Sequence, residues 1–225
     1  MSRTLRPALL TAALLALCGC PAQDESPPPP PQGAPPAPGE GEAPVSAPTS
    51  GKIELKDGQG AEVLAIKWKE DGAKLIDGGG KELVRLKLDG AKLKLKAPDD
   101  HALGWISGDQ RKLKVKDAEG KELFILRRQD DGDWKLEDPT DKLLWKIKRR
   151  QDGWKLEDAS GTERFQVVAR EGKVSLRKVE GGQETAVYST HDKLAPLAIA
   201  CLALEPLTQE QRLALLVRVH LAQPE

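Results

Sequence analysis

Leu194-Ala-Pro-Leu-Ala-Ile-Ala-Cys-Leu-Ala-Leu204 is apolar on every side of a helix, and it follows a chain middle built of charged, alternating segments. A helix without a polar face has to be enclosed, in a core or in lipid. At about 11 residues the run is too short for a bilayer, which takes roughly 20. The reading is a helix over 192–204, enclosed by the strands before it. Downstream, Glu205-Pro206 interrupts the helix, because the residue before a proline is pushed out of the helical region. Thr208-Gln-Glu-Gln211 then has the spacing of a capping box. Leu213, Leu216, Val217 and Leu221 share one face of a second helix over 208–222, expected to pack against a rim.

Upstream, the chain repeats every twenty residues or so. Trp134-Lys-Leu-Glu-Asp138 returns as Trp154-Lys-Leu-Glu-Asp158, and Gly80-Lys-Glu-Leu83 as Gly120-Lys-Glu-Leu123. Asp57, Asp77, Asp117, Asp138 and Asp158 keep the interval, and Ala97-Pro-Asp-Asp100 stands where one beat is missing. Each period holds a short strand such as Lys92-Leu-Lys-Leu-Lys96 and a longer one such as Glu82-Leu-Val-Arg-Leu-Lys-Leu88. Strict alternation marks a strand with one buried face. Asp-x-x-Gly, with turn formers at both ends, joins short to long. Asp-Gly or Glu-Gly at Asp71, Asp89, Asp131, Asp152 and Glu171 joins long to the next short strand, a strong hairpin signal. The result is a mainly β chain, an antiparallel up-and-down meander of about 12–14 strands in hairpin repeats. Closure into a barrel removes the exposed edges of so long a meander. A barrel of that size is too wide for its own side chains to fill, and the apolar helix is the available plug. The competing architecture is an open hairpin array with the helices capping one end.

A twelve-stranded barrel closed around a hydrophobic C-terminal helix resembles the tubby-like C-terminal superfamily, which includes LURP-one-related proteins and phospholipid scramblases. The residues that carry the resemblance are Gly-Lys-Glu-Leu at the strand starts and His191-Asp-Lys-Leu through Leu204 at the end, over 53–204. The strand count exceeds the family's by a hairpin. The resemblance implies phosphoinositide or phospholipid binding as the kind of function to expect.

The other end of the chain speaks of location. Met1–Gly19 has Arg3 and Arg6, the apolar run Ala8–Leu17 and then small residues, the pattern of a secretory signal peptide. Leu17-Cys18-Gly19-Cys20 resembles the lipobox of bacterial lipoproteins, which implies cleavage before Cys20 and acyl chains, palmitate among them, on Cys20. Pro21 rather than Asp after that cysteine leans toward the outer membrane. Residues 20–50 hold eleven of the seventeen prolines and almost no large apolar side chain, so they cannot offset the entropy of ordering. They read as a tether, semi-rigid along Pro27–Pro31. What remains, 51–225, is one domain of ordinary size. It carries 33 basic and 31 acidic residues, so there is no global field to draw in nucleic acid.

Motifs for chemistry are sparse. His101, His191 and His220 have no metal-ligand spacing, and no metal or cofactor is expected. Cys201 with His191 is a nominal nucleophilic pair, but a thiol in an apolar helix is inert. Asp130-Asp131-Gly-Asp133 reads as a turn, lacking the oxygen loop that calcium takes. Arg127 and Arg128, with Lys146, Lys148, Arg149 and Arg150, end two equivalent long strands one period apart. The four arginines are expected near one rim, where guanidinium forks suit anionic headgroups. The plainer reading is a solvated face balanced by Glu137, Glu157 and Asp130, with Trp134 and Trp154 in the core. The expectation is therefore a non-enzymatic lipoprotein, anchored by lipid in the cell envelope, that binds or scaffolds an envelope partner. An anionic-phospholipid binder is the alternative.

Overall fold

The computed structural model describes residues 51–223. The expected signal peptide, Cys20 and the expected proline-rich tether lie outside the described residues. Alternation and turns produce the expected meander: β1 (Lys52–Lys56), β2 (Glu62–Lys69), β3 (Gly72–Asp77), β4 (Glu82–Asp89), β5 (Lys92–Lys96), β6 (Ala102–Gly108) and β7 (Lys112–Lys116). It continues through β8 (Glu122–Arg128), β9 (Trp134–Glu137), β10 (Leu143–Arg150), β11 (Gly153–Asp158), β12 (Glu163–Arg170), β13 (Lys173–Glu180) and β14 (Gln183–Thr190). All neighbours are antiparallel and β14 returns to β1, so the fourteen strands close a barrel. The open array is excluded. The seam is short: Lys56 pairs with Ser189, and the Asp192 carboxylate accepts the Glu54 N–H at 2.6 Å where the ladder stops.

The twenty-residue period has a local cause at each beat. The Asp77 carboxylate accepts the N–H groups of Gly79 and Lys81, and Asp117, Asp138 and Asp158 do the same for residues two and four ahead. The fourth turn residue takes a positive φ, usually as glycine; Asp100 (69°) and Asp141 (59°) take it in the two turns that lack one. Glu82, Glu122 and Glu163, each at the start of a long strand, pair with a lysine eight residues earlier on the adjacent strand. The distances are 2.9, 2.7 and 2.8 Å to Lys74, Lys114 and Lys155. These pairs put a charged belt on the outer wall, unlike the apolar band of a membrane-spanning barrel. Among the described residues, no helix is long and apolar enough to cross a membrane.

Two helical segments fill the barrel. The apolar run is less regular than expected: α1 covers only Pro196–Ala200 and continues as a 3-10 turn over Cys201–Ala203. Proline sets the start, since Ala195 before it is held extended (φ −55°, ψ 127°). From Leu197 to Leu204 every residue is buried. The second helix, α2 (Gln209–Ala222), has the expected capping box: Thr208 Oγ1 accepts the Gln211 N–H, and Gln211 Oε1 accepts the Thr208 N–H. Its expected position on a rim is wrong. Residues 213 to 219 are all buried, against β4, β5 and β6, while α1 packs on β11, β12 and β13. Strands about 4.8 Å apart and tilted about 40° make a circular barrel of fourteen roughly 28 Å across. One helix about 10 Å wide leaves such an interior half empty; two side by side fill it.

Candidate functional site

Long strands all end at one rim, the mouth of the barrel. Their last inward residues pair with the first inward residues of the following short strands, and these pairs ring the opening. They run Trp68 with Ala73, Leu88 with Leu93, Gly108 with Leu113, Arg128 with Trp134, Arg149 with Trp154, and Ala169 with Val174. Two adjacent pairs are thus arginine with tryptophan, and the rest are apolar or small. This repeated cross-strand pairing of arginine with tryptophan was not anticipated. Its signal was present, because Arg128 and Arg149 stand six and five residues before Trp134 and Trp154 across equivalent hairpins.

A cleft of about 590 Å³ opens over these pairs, lined by Arg128, Arg149, Arg150, Trp134, Trp154 and the helix ends Pro196 and Ala222. Three of the four expected arginines therefore come together. Arg127 does not. Its strand neighbour Arg128 points inward, so Arg127 points outward, where its Nη2 lies 3.2 Å from the Asp141 carboxylate and 3.5 Å from that of Glu137. Lys148 is likewise spent on Glu157, at 2.8 Å. Among the described residues, Asp152 is the one carboxylate lining the cleft, and it is paired with Arg170. The Arg149 head stays available, because Arg149 is held through its backbone N–H, donated to the Asp133 carboxylate at 2.7 Å, whereas the Arg150 head donates from Nη1 to the Arg149 carbonyl. Trp134 is only 5% exposed and acts as floor, whereas Trp154 is partly open to the cleft. Gly153 forms the adjoining wall; at φ 144°, a Cβ there would stand 2.0 Å from the Val167 carbonyl oxygen.

The other sequence candidates separate. Cys201 is wholly buried, its thiol donating to the Leu197 carbonyl at 3.8 Å, and burial pushes its pKa far up. His191 is exposed beside a different cleft at the mouth. The two form no dyad. His220 Nδ1 accepts the Ala195 N–H at 3.3 Å, tying the end of α2 to the start of α1. In the Asp130–Asp133 stretch, the Asp131 carboxylate accepts the Asp133 N–H at 3.0 Å, ordinary turn chemistry. Among the described residues there is no cluster of three or more potential metal ligands.

No protein-family model matches the chain, and no curated protein matches it. A solved X-ray structure of an Arabidopsis thaliana protein is similar over 74% of this chain and 92% of that one, at 13% identity and a TM-score of 0.37. At that level the similarity assigns neither a family nor a ligand.

Proposed function

We propose that the protein is a lipid-tethered, non-enzymatic binding module of the bacterial cell envelope, with the arginine-lined part of the mouth as its recognition surface. One observation carries the reading: Arg128, Arg149 and Arg150 all line a cleft in which, among the described residues, the one carboxylate, Asp152, is already paired with Arg170. Arginine forks match carboxylate and phosphate geometry and hold it through paired hydrogen bonds. The interior is filled by α1 and α2, so ligands are met at the rim. The tether rests on Arg3, Arg6, the apolar run and Leu17-Cys18-Gly19-Cys20. Cys20→Ser is expected to abolish incorporation of a palmitate analogue in metabolic labelling; label retained on that variant would refute the anchor.

A second reading makes the partner an acidic phospholipid headgroup, as the resemblance to tubby-like barrels implies. It is favoured by the position of Gly51. Its carbonyl accepts the Trp68 N–H at 3.1 Å, which sets Gly51 at the arginine-bearing rim. Flotation of the full chain carrying Cys20→Ser, on vesicles with and without acidic phospholipid, separates the two. Near an acidic surface each basic residue contributes about 1 kcal/mol. Adding Arg149→Glu with Arg150→Glu should therefore weaken binding by at least about tenfold. Binding unchanged by that reversal would remove the headgroup reading.

A further inference from the structure

The arginine cleft has a neighbour of different character. A second cleft of about 560 Å³ opens at the mouth between the β12–β13 turn and the segment leading into α1. Ala169, Val174, Leu194, Ala195 and Pro196 give it apolar walls, and Arg170, Lys173, His191 and Lys193 line it beside them. The two clefts share Ala169, Pro196 and Gln223, so they adjoin across a small side chain, a proline ring and the end of α2. Of the carboxylates in the second cleft, Asp192 is turned to the Glu54 N–H at 2.6 Å, and Glu171 sits exposed on the outer turn.

We infer that the mouth binds a single-chain anionic amphiphile, a long-chain fatty acid being the simplest. Its acid group sits on Arg128 and Arg149, and its hydrocarbon tail lies past Ala169 in the apolar cleft. The inference rests on the reading of the arginine cleft as an anion site and names the ligand class. Charge complementarity selects the acid, because the cleft presents three arginines and no unpaired carboxylate among the described residues. Continuity selects the tail, because the apolar cleft adjoins those arginines through the uncharged Ala169 and Pro196. One apolar cleft accepts one chain. A two-chain phospholipid would leave its second chain in water or in the bilayer, and would be held by its headgroup alone.

The test is calorimetric titration of the full chain carrying Cys20→Ser, which has no acyl chain of its own, with ligands kept below their micelle concentrations. Palmitate, octanoate, hexadecanol and glycerol phosphate are the probes. Each methylene taken from water contributes about fourfold in affinity, so palmitate should bind at least about a hundredfold more tightly than octanoate. Hexadecanol should bind at least about tenfold more weakly than palmitate, for want of the charge. Ala169→Trp should fill the junction, reducing palmitate binding to the level of octanoate while glycerol phosphate is unaffected. The ligand series alone decides the matter if that variant does not fold. Equal affinity for octanoate and palmitate, or for hexadecanol and palmitate, would overturn the inference. Glycerol phosphate bound with no gain from a tail would do so too, leaving the anion site standing. Failure of every anionic probe would instead remove the anion site itself.

Discussion

The Asp158 carboxylate accepts backbone N–H groups from Ser160 and Thr162, the Ser160 hydroxyl and, at 2.7 Å, the Arg164 Nε. The Ser160 hydroxyl and then Arg164 hold its pKa down at about 2. Glu82 and Glu157 are lowered as well, chiefly by hydrogen bonds from Lys74 and Lys148, and Asp138 by its bond from Thr140. A carboxyl whose pKa is lower folded than unfolded contributes stability above its unfolded value, near pH 4, and that contribution is lost as pH falls through the folded value. The urea midpoint, followed by tryptophan fluorescence, should therefore be level from neutral pH to about pH 5 and fall steadily toward pH 2. Asp158→Asn should start lower at neutral pH and lose less on acidification; an unchanged acid slope would show that these turns do not set it. The four arginines teach a lesson at the same scale. Read as neighbours in sequence, Arg127 and Arg128 looked like one patch, yet alternation along a strand sends them to opposite faces of the wall.

Among the elements, the strands were legible and the helices only half so. Strand and turn signals are local: Lys92-Leu-Lys-Leu-Lys96 alternates, and the Asp77 and Asp117 turns are closed by their own carboxylates. Where α2 goes depends instead on the width of a fourteen-strand barrel, which no local stretch encodes. The one available clue was Leu213-Ala-Leu-Leu-Val217, five apolar residues in a row that cover every face of a helix, where attention to Leu213, Leu216, Val217 and Leu221 selects a single face. Leu215 distinguishes the two placements. On a rim-packed amphipathic helix it would face away from the barrel; here it is fully buried. Leu215→Ala should destabilise the domain by about 2–5 kcal/mol, measured by urea unfolding. A cost under about 0.5 kcal/mol, typical of surface positions, would contradict the buried placement. The arginine cleft was partly legible too. Its basic residues were visible, but its apolar neighbour is made by Ala169, Leu194 and Pro196, brought together only when the meander closes.

For the molecule as a whole, wall and filling depend on each other. Leu55, Leu75, Leu95, Leu136 and Leu156, from five different strands, are fully buried in one cluster with Leu197, Ile199 and Leu215. Typical domains are stable by only about 5–15 kcal/mol, so losing the filling should exceed what the wall can bear. Truncation after Asp192, or Ala198→Asp, is expected to unfold all fourteen strands in one transition. Hydrogen exchange at Glu82–Leu88 reports it, since those amides are far in sequence from either change. Protection surviving there would mean that the repeats stand by their own contacts, as in a solenoid. The same dependence bears on how the protein is made. Synthesis runs from β1 to α2, so the wall emerges strand by strand while its filling is still unwritten. The seam joins Lys56 to Ser189, and the two helices come after it. A nascent chain therefore has nothing to close around until both helices have emerged, and until then its strands form an open, greasy ribbon in need of shelter.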